Sequence, residues 1–449
     1  MSANRWMAHA LGVVCSVLLG ATHVDCNAQT LLDTYRKALV EDTQYRAARK
    51  AMQASLEKVP QARAALLPSI SLTGNNSKQS GVASFSDAPF IDRDVNSWGW
   101  TAQLTQPLIR WTNWVAYRQA GAQVAQASAQ FFLAEQDLIL RTAQAYFDVM
   151  LARENIQVST AQLNSVHEQL VLAQRNFEVG TGIITDVHEA KARRGQALAQ
   201  RIAAINELAA KQAELDKILG EPTPLKTGRL VHSLPALAED SMAQWLSTAQ
   251  ERNPQVQIQQ AVLEVAQKEV SKSTSAHLPT LDLTMNRAGN YNSGSLSSPA
   301  DISTRTNSQQ IGLQLTVPLY SGGGIQSKVR EALLLQDKAH DDLLGAQRNA
   351  TNQVRLAFAG VLNGQAQIEA LQASVEAGER AVEANKIGFK IGTRINPDVL
   401  NAEQQLYGSM RDLTKARVEV LMQSLKLKAA AGALQELDLA ALDALLVPN

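Results

Sequence analysis

The chain has almost no cysteine. Cys15 and Cys26 are the only two, and both lie before Gln29. A mature chain starting at Gln29 has none, which excludes a disulfide scaffold, a thiol enzyme and a Cys-based zinc protein. Aromatic residues are scarce, at 5%, while Ala and Gln abound. That composition suits long helices in close approach better than a compact globular core. Neither sign of charge is in excess: 42 Lys plus Arg face 42 Asp plus Glu, so no basic surplus recruits nucleic acid. Beyond Ala28 no apolar run is long enough to span a bilayer as a helix. A membrane role must then come through β-strands.

The segment 1–28 reads as a secretory leader. Arg5 supplies a basic start, Ala10 to Ala21 an apolar stretch, and Cys26-Asn27-Ala28 a cleavage site ending on Ala. Lipidation of Cys26 is the alternative, but Asp25 before it fits a lipobox poorly.

What remains is written twice. Phe177-Glu-Val-Gly-Thr-Gly-Ile-Ile-Thr-Asp-Val returns as Phe389-Lys-Ile-Gly-Thr-Arg-Ile-Asn-Pro-Asp-Val. Leu67-Pro-Ser-Ile-Ser-Leu-Thr returns as Leu278-Pro-Thr-Leu-Asp-Leu-Thr, and Leu104-Thr-Gln-Pro-Leu as Leu315-Thr-Val-Pro-Leu, at nearly the same offset. Such register means one structural unit used twice, here over 29–235 and 236–449. The period is too long for a solenoid.

Each unit reads as helix–strand–strand–helix. Thr30 to about Leu67 predicts one helix, ended by Pro68. Residues 69–77 then alternate, with Ile70 and Leu72 on one side and Ser71 and Thr73 on the other. Residues 78–97 are polar and predict a loop. Residues 98–106 alternate again, with Trp98, Trp100, Ala102 and Leu104 on one face, and Pro107 is expected to stop them. The second unit repeats this with strands at 280–290 and 309–317. Strands of about 9–11 residues match a tilted bilayer crossing. Trp98, Trp100, Trp111 and Trp114 are expected to crowd one junction as an interfacial belt. Alternation alone fits a soluble sheet with one wet face equally well; the leader and the lack of a second apolar layer favour the membrane.

From about Ile109 to Glu178 no proline interrupts a helix of about 100 Å. Val149, Ile156, Leu163, Leu170 and Phe177 recur at heptad spacing. So do Val361, Ile368, Val375, Val382 and Phe389, and Leu406, Leu413, Val420, Leu427 and Leu434. Sustained heptads define coiled-coil seams. The chain turns at 180–186 and 392–398, with Gly180, Gly182 and Gly392 at the bends, so each unit holds a helical hairpin. Four strands cannot close a barrel, and open edges cannot face lipid. Closure demands several chains, and three would give twelve strands around a lumen.

With these features the chain resembles the TolC-like family of outer-membrane efflux and type I secretion channels over essentially its whole mature length. The resemblance rests on the duplicated unit, the strand boundaries quoted above and the hairpin ends at 179–187 and 391–407. It implies a mainly α homotrimer: a twelve-stranded β-barrel in outer-membrane lipid, continued by a long periplasmic coiled-coil α-barrel. It also implies a periplasmic adaptor and an inner-membrane pump as partners. The family closes its periplasmic tip by tying a basic residue of the second hairpin to an acidic and a hydroxyl residue of the first. The matching positions are Arg394, Asp186 and Thr185, with Phe389 where an aromatic hydroxyl often stands. Two acidic rings line the family's constriction; Asp398 keeps the first, and Asn401 stands at the second.

Simpler readings exist for each. Asp186 and Asp398 begin return helices, where a carboxylate favours the helix dipole. Asn396-Pro397 reads as N-cap then N1. Arg394 on spacing alone is a solvated side chain. Gly322-Gly323-Gly324 with Lys328 lacks phosphate-loop spacing. The histidines form no i,i+4 pair and no Ser/His/Asp grouping stands out, so no metal, cofactor or enzymatic activity is expected. The alternatives in other classes are an exported trimeric coiled-coil adhesin, which would not fold back twice with paired strands, and a periplasmic adaptor, whose strands would form compact β domains.

Overall fold

The computed structural model describes residues 30–86, 88–222, 229–230 and 241–447. The leader, both cysteines and the unit boundary at 235 lie outside the described residues. The chain runs α1 (Leu31–Glu41), α2 (Thr43–Leu56), α3 (Lys58–Ala64), β1 (Ser69–Ala83), β2 (Ile91–Ile109), α4 (Trp111–Glu178), α5 (Ile184–Leu219) and β3 (Arg229–Leu230). It continues α6 (Met242–Arg252), α7 (Pro254–Ser275), β4 (Thr280–Asn292), β5 (Thr304–Thr316), α8 (Gly324–Lys390), α9 (Asn396–Ala430), α10 (Glu436–Asp443) and β6 (Leu446–Val447).

Two rods carry the architecture. α4 has 68 residues and α8 has 67, each about 100 Å long. Toward the sheet, α7 packs on both rods and α2–α3 on α4. Toward the hairpin tips, α5 returns along α4, α9 returns along α8, and α9 also packs on α4. Midway, Tyr35, Tyr146, Phe147, Leu215, Leu425 and Leu439 form the largest apolar core among the described residues, where α1, α10 and the ends of α5 and α9 meet.

The heptads lie where helices touch, though unevenly. Leu406, Leu413, Val420, Leu427 and Leu434 are all buried, as are Val361, Ile368 and Val382. Val149 and Leu170 are buried too, but Phe177 at the tip is exposed. Two further heptad rows are built of alanine: Ala190, Ala197 and Ala204 on α5, and Ala332, Ala339 and Ala346 on α8, all buried. A methyl side chain lets neighbouring helices come close, and an apolar-pattern search tuned to Leu and Val passes over it.

The four long strands form one antiparallel sheet in the order β1-β2-β4-β5, and β3 pairs with β6 separately. Both outer strands, β1 and β5, are exposed nearly throughout. The predicted loop at 78–97 is mostly strand instead. The ladder continues from Ser77↔Ser97 to Ala83↔Ile91. Polar pairs sustain it beyond the apolar band, including an ion pair of Lys78 with Asp94 at 3.0 Å. Pro107 does not stop β2 either: it pairs with Asp282, and the register shifts before Ile109. A bulge absorbs the missing N–H. The four tryptophans do not share one junction. Trp98 packs on Tyr291 at 6.2 Å, while Trp111 and Trp114 begin α4, about 40 Å further along the chain at strand rise. The aromatics therefore mark both ends of the apolar band.

The predicted helix from Thr30 to Leu67 is three helices. Pro60 removes an N–H near the α2–α3 junction, where the chain kinks at Glu57. The other break is Asp42, which is extended and caps α2 by accepting from the Tyr45 N–H at 2.7 Å. Its second oxygen accepts from Arg141 on α4 at 3.0 Å. Asn253 does the same at the equivalent place in the second unit: it caps α7 and donates to the Ala430 carbonyl at 2.8 Å. Each unit thus ties its middle to a long helix through one capping side chain.

Asp42 is nearly buried, which alone would raise its carboxyl pKa, but hydrogen bonds from Arg141 and Tyr45 pull it below the ordinary value. A depressed folded pKa gives stability that is complete above about pH 4 and is lost as pH falls through the folded value. Asp42→Ala removes a cap and one partner of a largely buried pair, at a cost of about 3 kcal/mol. Amide exchange over residues 43–56 should accelerate in this variant at neutral pH. The difference from the parent should vanish in strong acid; equal exchange at pH 7 would refute the anchoring role.

Candidate functional site

The two hairpin tips are built alike. α4 ends with the Gly180 N–H donating to the Phe177 carbonyl and the Thr181 N–H to the Asn176 carbonyl, at 3.1 and 2.9 Å. α8 ends with Gly392 donating to Phe389 and Thr393 to Gly388, at the same two distances. Gly180 and Gly392 take φ of 75° and 81°, the left-handed turn that ends a helix.

The tips differ in one compensated pair. In the first, a Cβ on Gly182 would lie 3.0 Å from the Asn176 Cβ, so Gly182 makes room for Asn176. In the second, Arg394 replaces Gly182 and Gly388 replaces Asn176. A Cβ on Gly388 would lie 2.7 Å from the Arg394 Cγ. The large side chain has changed sides of the turn, and Gly388 is what lets Arg394 fold over it. Gly388 was not among the residues singled out from sequence; aligning the two tips position by position would have found it.

The predicted gate residues are spread over both tips. Thr185 is exposed and Asp186 half-buried, at the second and third positions of α5. Arg394 is exposed, and its ion pair among the described residues is with Asp398 of its own hairpin, at 3.7 Å. Among the described residues of one chain, no ion pair joins Arg394 to Asp186. Asp186 and Asp398 both occupy first turns, where their charge meets the helix N-terminus. Asn396 is not the N-cap of α9. Ile395 holds that position, and Asn396 is the first helical residue, buried with neither amide atom partnered. Phe389 is half-buried in a groove between α4 and α8, beside His167, Arg175, Lys386 and Lys390.

Asn401 has a partner in the first hairpin. It accepts from Arg193 Nη2 at 2.8 Å, while Arg193 Nη1 donates to Gln404 at 2.6 Å. Arg193 lies on α5, so this fork ties the first hairpin to α9. Deeper, Glu403 is 1% exposed. Its Oε1 accepts from Ser165 on α4 and pairs with Lys386 on α8 at 2.7 Å. Its Oε2 has no partner within the described residues. Burial pushes the neighbouring Tyr407 hydroxyl upward, and the Glu403 charge adds to the shift. Higher still, Arg411 on α9 donates to Gln162 on α4 at 3.2 Å. Sequence reasoning missed all three ties. The signal available was a charged residue on an apolar stripe: Glu403 lies between Val399 and Leu406, both buried, at helical spacing from each.

This geometry has known counterparts. The sequence model of the outer membrane efflux protein family matches residues 34–221 and 245–433, once for each unit. The chain is 33% identical to the proteases secretion protein PrtF of Dickeya chrysanthemi over 434 residues, covering 95% of this chain and 93% of that one. It is 33% identical to the alkaline protease secretion protein AprF of Pseudomonas aeruginosa, covering 98% and 91%. It is 31% identical to the outer membrane protein TolC of Vibrio cholerae, covering 96% and 97%. Among solved structures, the Campylobacter jejuni CmeC outer membrane channel superposes with a TM-score of 0.78 over 91% of this chain and 87% of that one, at 19% identity. The chain therefore belongs to the outer membrane efflux protein family, the TolC-like channels through which efflux and type I secretion systems discharge across the Gram-negative outer membrane.

Proposed function

We propose that three copies of this chain close a twelve-stranded barrel whose coiled-coil extension reaches into the periplasm. There it meets a periplasmic adaptor and an inner-membrane pump and passes a secreted protein to the exterior. The carrying observation is the pair of open edges. β1 and β5 leave their outer N–H and C=O groups unpaired, with Ile70, Leu72, Ile311, Leu313 and Leu315 each more than half exposed. Such edges are tolerable in lipid only when β5 of one copy pairs with β1 of the next. Protein cargo is favoured because PrtF and AprF are named for protease secretion and match this chain over nearly its full length. The two units, joined near residue 235, and the leader ending at Ala28 belong to the same reading.

Gating follows from the tips. Arg394 and Thr185 are exposed in the single chain, available to a neighbouring copy. In this reading Arg394 reaches Asp186 and Thr185 across the chain boundary and holds the entrance shut. Asp398 lines the constriction and shares its charge with Arg394. Asn401 instead serves the tie to Arg193.

Deleting the gene should abolish release of one or more proteins into the medium while leaving drug susceptibility nearly unchanged; the converse would favour small-molecule efflux. Native mass measurement in detergent should give three chains, and a stable monomer would refute the barrel. For the gate, each exposed contact contributes about 0–1 kcal/mol, so closure depends on three copies acting together. Arg394→Ala, and Gly388→Ala, which displaces the Arg394 side chain without touching its charge, should both raise single-channel conductance. Parent-like conductance in both variants would mean that Arg394 holds nothing. Asp398→Asn should reduce cation preference in a salt gradient. Asn401→Asp should change it less, because the new carboxylate meets Arg193; an equal or larger change would place residue 401 on the pore axis.

A further inference from the structure

The sheet has a polar row and an apolar row, and one loop folds over the polar row at its far end. On β2 the polar row is Thr105, Gln103, Thr101, Gly99, Ser97, Val95 and Arg93. Arg93 and Val95 are 8% and 5% exposed, although both lie toward the end of β2 that is away from α4. The β4–β5 loop, residues 293–303, covers them. Arg93 donates to the carbonyls of Ser295, Ser298 and Pro299 at 2.5–2.9 Å, and its guanidinium lies over the Phe85 ring at 5.0 Å. Opposite Arg93 on the same row stands Gly81, and Leu296 of the loop lies over it: a Cβ there would meet both Leu296 methyl groups at 3.9 Å, an ordinary contact. At the loop's base the Ser293 N–H donates to the Asn96 carbonyl at 2.9 Å, and Ser293 Oγ accepts from the Asn96 N–H at 2.8 Å. Within the loop, Asp301 accepts from the Ser295 N–H at 3.1 Å. The loop is thus held by a planar cation satisfied by three carbonyls, with an aromatic ring stacked on that cation.

We propose that this loop is a constriction at the outer mouth of the channel and that Arg93 is the residue that positions it. The inference rests on reading the sheet as one third of a barrel with its polar row toward the lumen. Ile70, Leu72, Trp100 and Leu104 then face lipid, and the covered row faces the pore. Three such loops narrow the exit from inside. Their lining is hydroxyl-rich, with Ser295, Ser297 and Ser298, and their single carboxylate is engaged in the loop itself. The exit therefore limits cargo by width and wetness rather than by charge sign. Lysine at position 93 would keep the charge but lose the planar fork that reaches several carbonyls at once.

The mature chain's lack of cysteine makes the test direct. In intact cells, Val95→Cys should resist a bulky membrane-impermeant maleimide. Adding Arg93→Ala should speed its labelling about tenfold by releasing the loop, with Arg93→Lys in between. Asp92→Cys, on the outer face of the same strand, should label equally in all backgrounds. In the open-tip Arg394→Ala background, where the outer mouth becomes limiting, Arg93→Ala should further raise conductance. A separate pair tests the underlying reading: in proteoliposomes a small water-soluble thiol reagent should modify Thr101→Cys and spare Ala102→Cys. If that pair fails, the barrel reading falls and the constriction with it. If the pair holds but Val95→Cys labels alike with and without Arg93, or conductance does not change in an Arg394→Ala background that itself conducts more than the parent, the loop is not an Arg93-held constriction.

Discussion

A backbone amide in hydrocarbon must find a partner, because unsatisfied N–H and C=O groups cost several kcal/mol each and lipid offers no substitute. This one constraint orders the rest of the structure. Among the described residues the chain offers four long strands, so its sheet ends in two open edges, β1 and β5. The same constraint explains why the units are joined as they are. β2 of the first unit pairs with β4 of the second over most of their length, so within the chain the duplication closes on itself and the unmet demand moves to the outside. Everything below the sheet has to follow a symmetry that the strands impose. The rods α4 and α8 therefore rise from the sheet as near-equal partners, 68 and 67 residues long.

Long rods need lateral support, and the chain supplies it in halves. Toward the sheet each rod is braced by a shorter helix that enters through a capping residue, Asp42 before α2 and Asn253 before α7. Toward the tips each is braced by its own return helix. The brace changes identity at mid-length, where the aromatic and leucine core collects. The closing touch joins the first and last helices: Asp443 at the end of α10 accepts from the Leu31 and Leu32 N–H groups at 2.7 and 2.9 Å. A carboxylate at a helix N-terminus satisfies donors that have no other partner. The last described helix thus completes the first.

Much of this was legible in the sequence, and the failures are physical. The membrane parts of the strands were readable because Ile70/Ser71/Leu72/Thr73 and Ile311/Gly312/Leu313/Gln314 alternate cleanly. The outer extensions were not, because pairs such as Ser80↔Asp94 are polar on both faces and look like loop until the partner strand is known. The rods and their leucine rows were readable from period alone. The alanine rows were not, since alanine marks proximity rather than apolar bulk. The break at Asp42 was hidden because its cause is the guanidinium of Arg141, far along the chain on α4. At the tips, the family resemblance pointed to Arg394, Asp186 and Asp398 but could not say which lie together in one chain. The ion pair of Arg394 with Asp398 forms within one turn and its own helix start, whereas the bond of Arg193 with Asn401 depends on how the hairpins pack.

The energetics of the tip divide by burial. Arg394 with Asp398 is solvent-exposed, and such a pair contributes about 0–1 kcal/mol and weakens with salt. Glu403 is different: at 1% exposure it is held by Ser165 and Lys386, and stripping a partner from a buried charge costs about 3–5 kcal/mol. Val166, Leu170, Ala190 and Leu400 add a dry contact between the first hairpin and α9 just beside it. Within one chain, then, α9 is fixed to α4 more firmly than any exposed tip contact can hold. The compliant surfaces are those that a single chain leaves open, where Thr185 and Arg394 lie exposed at the ends of otherwise well-braced rods.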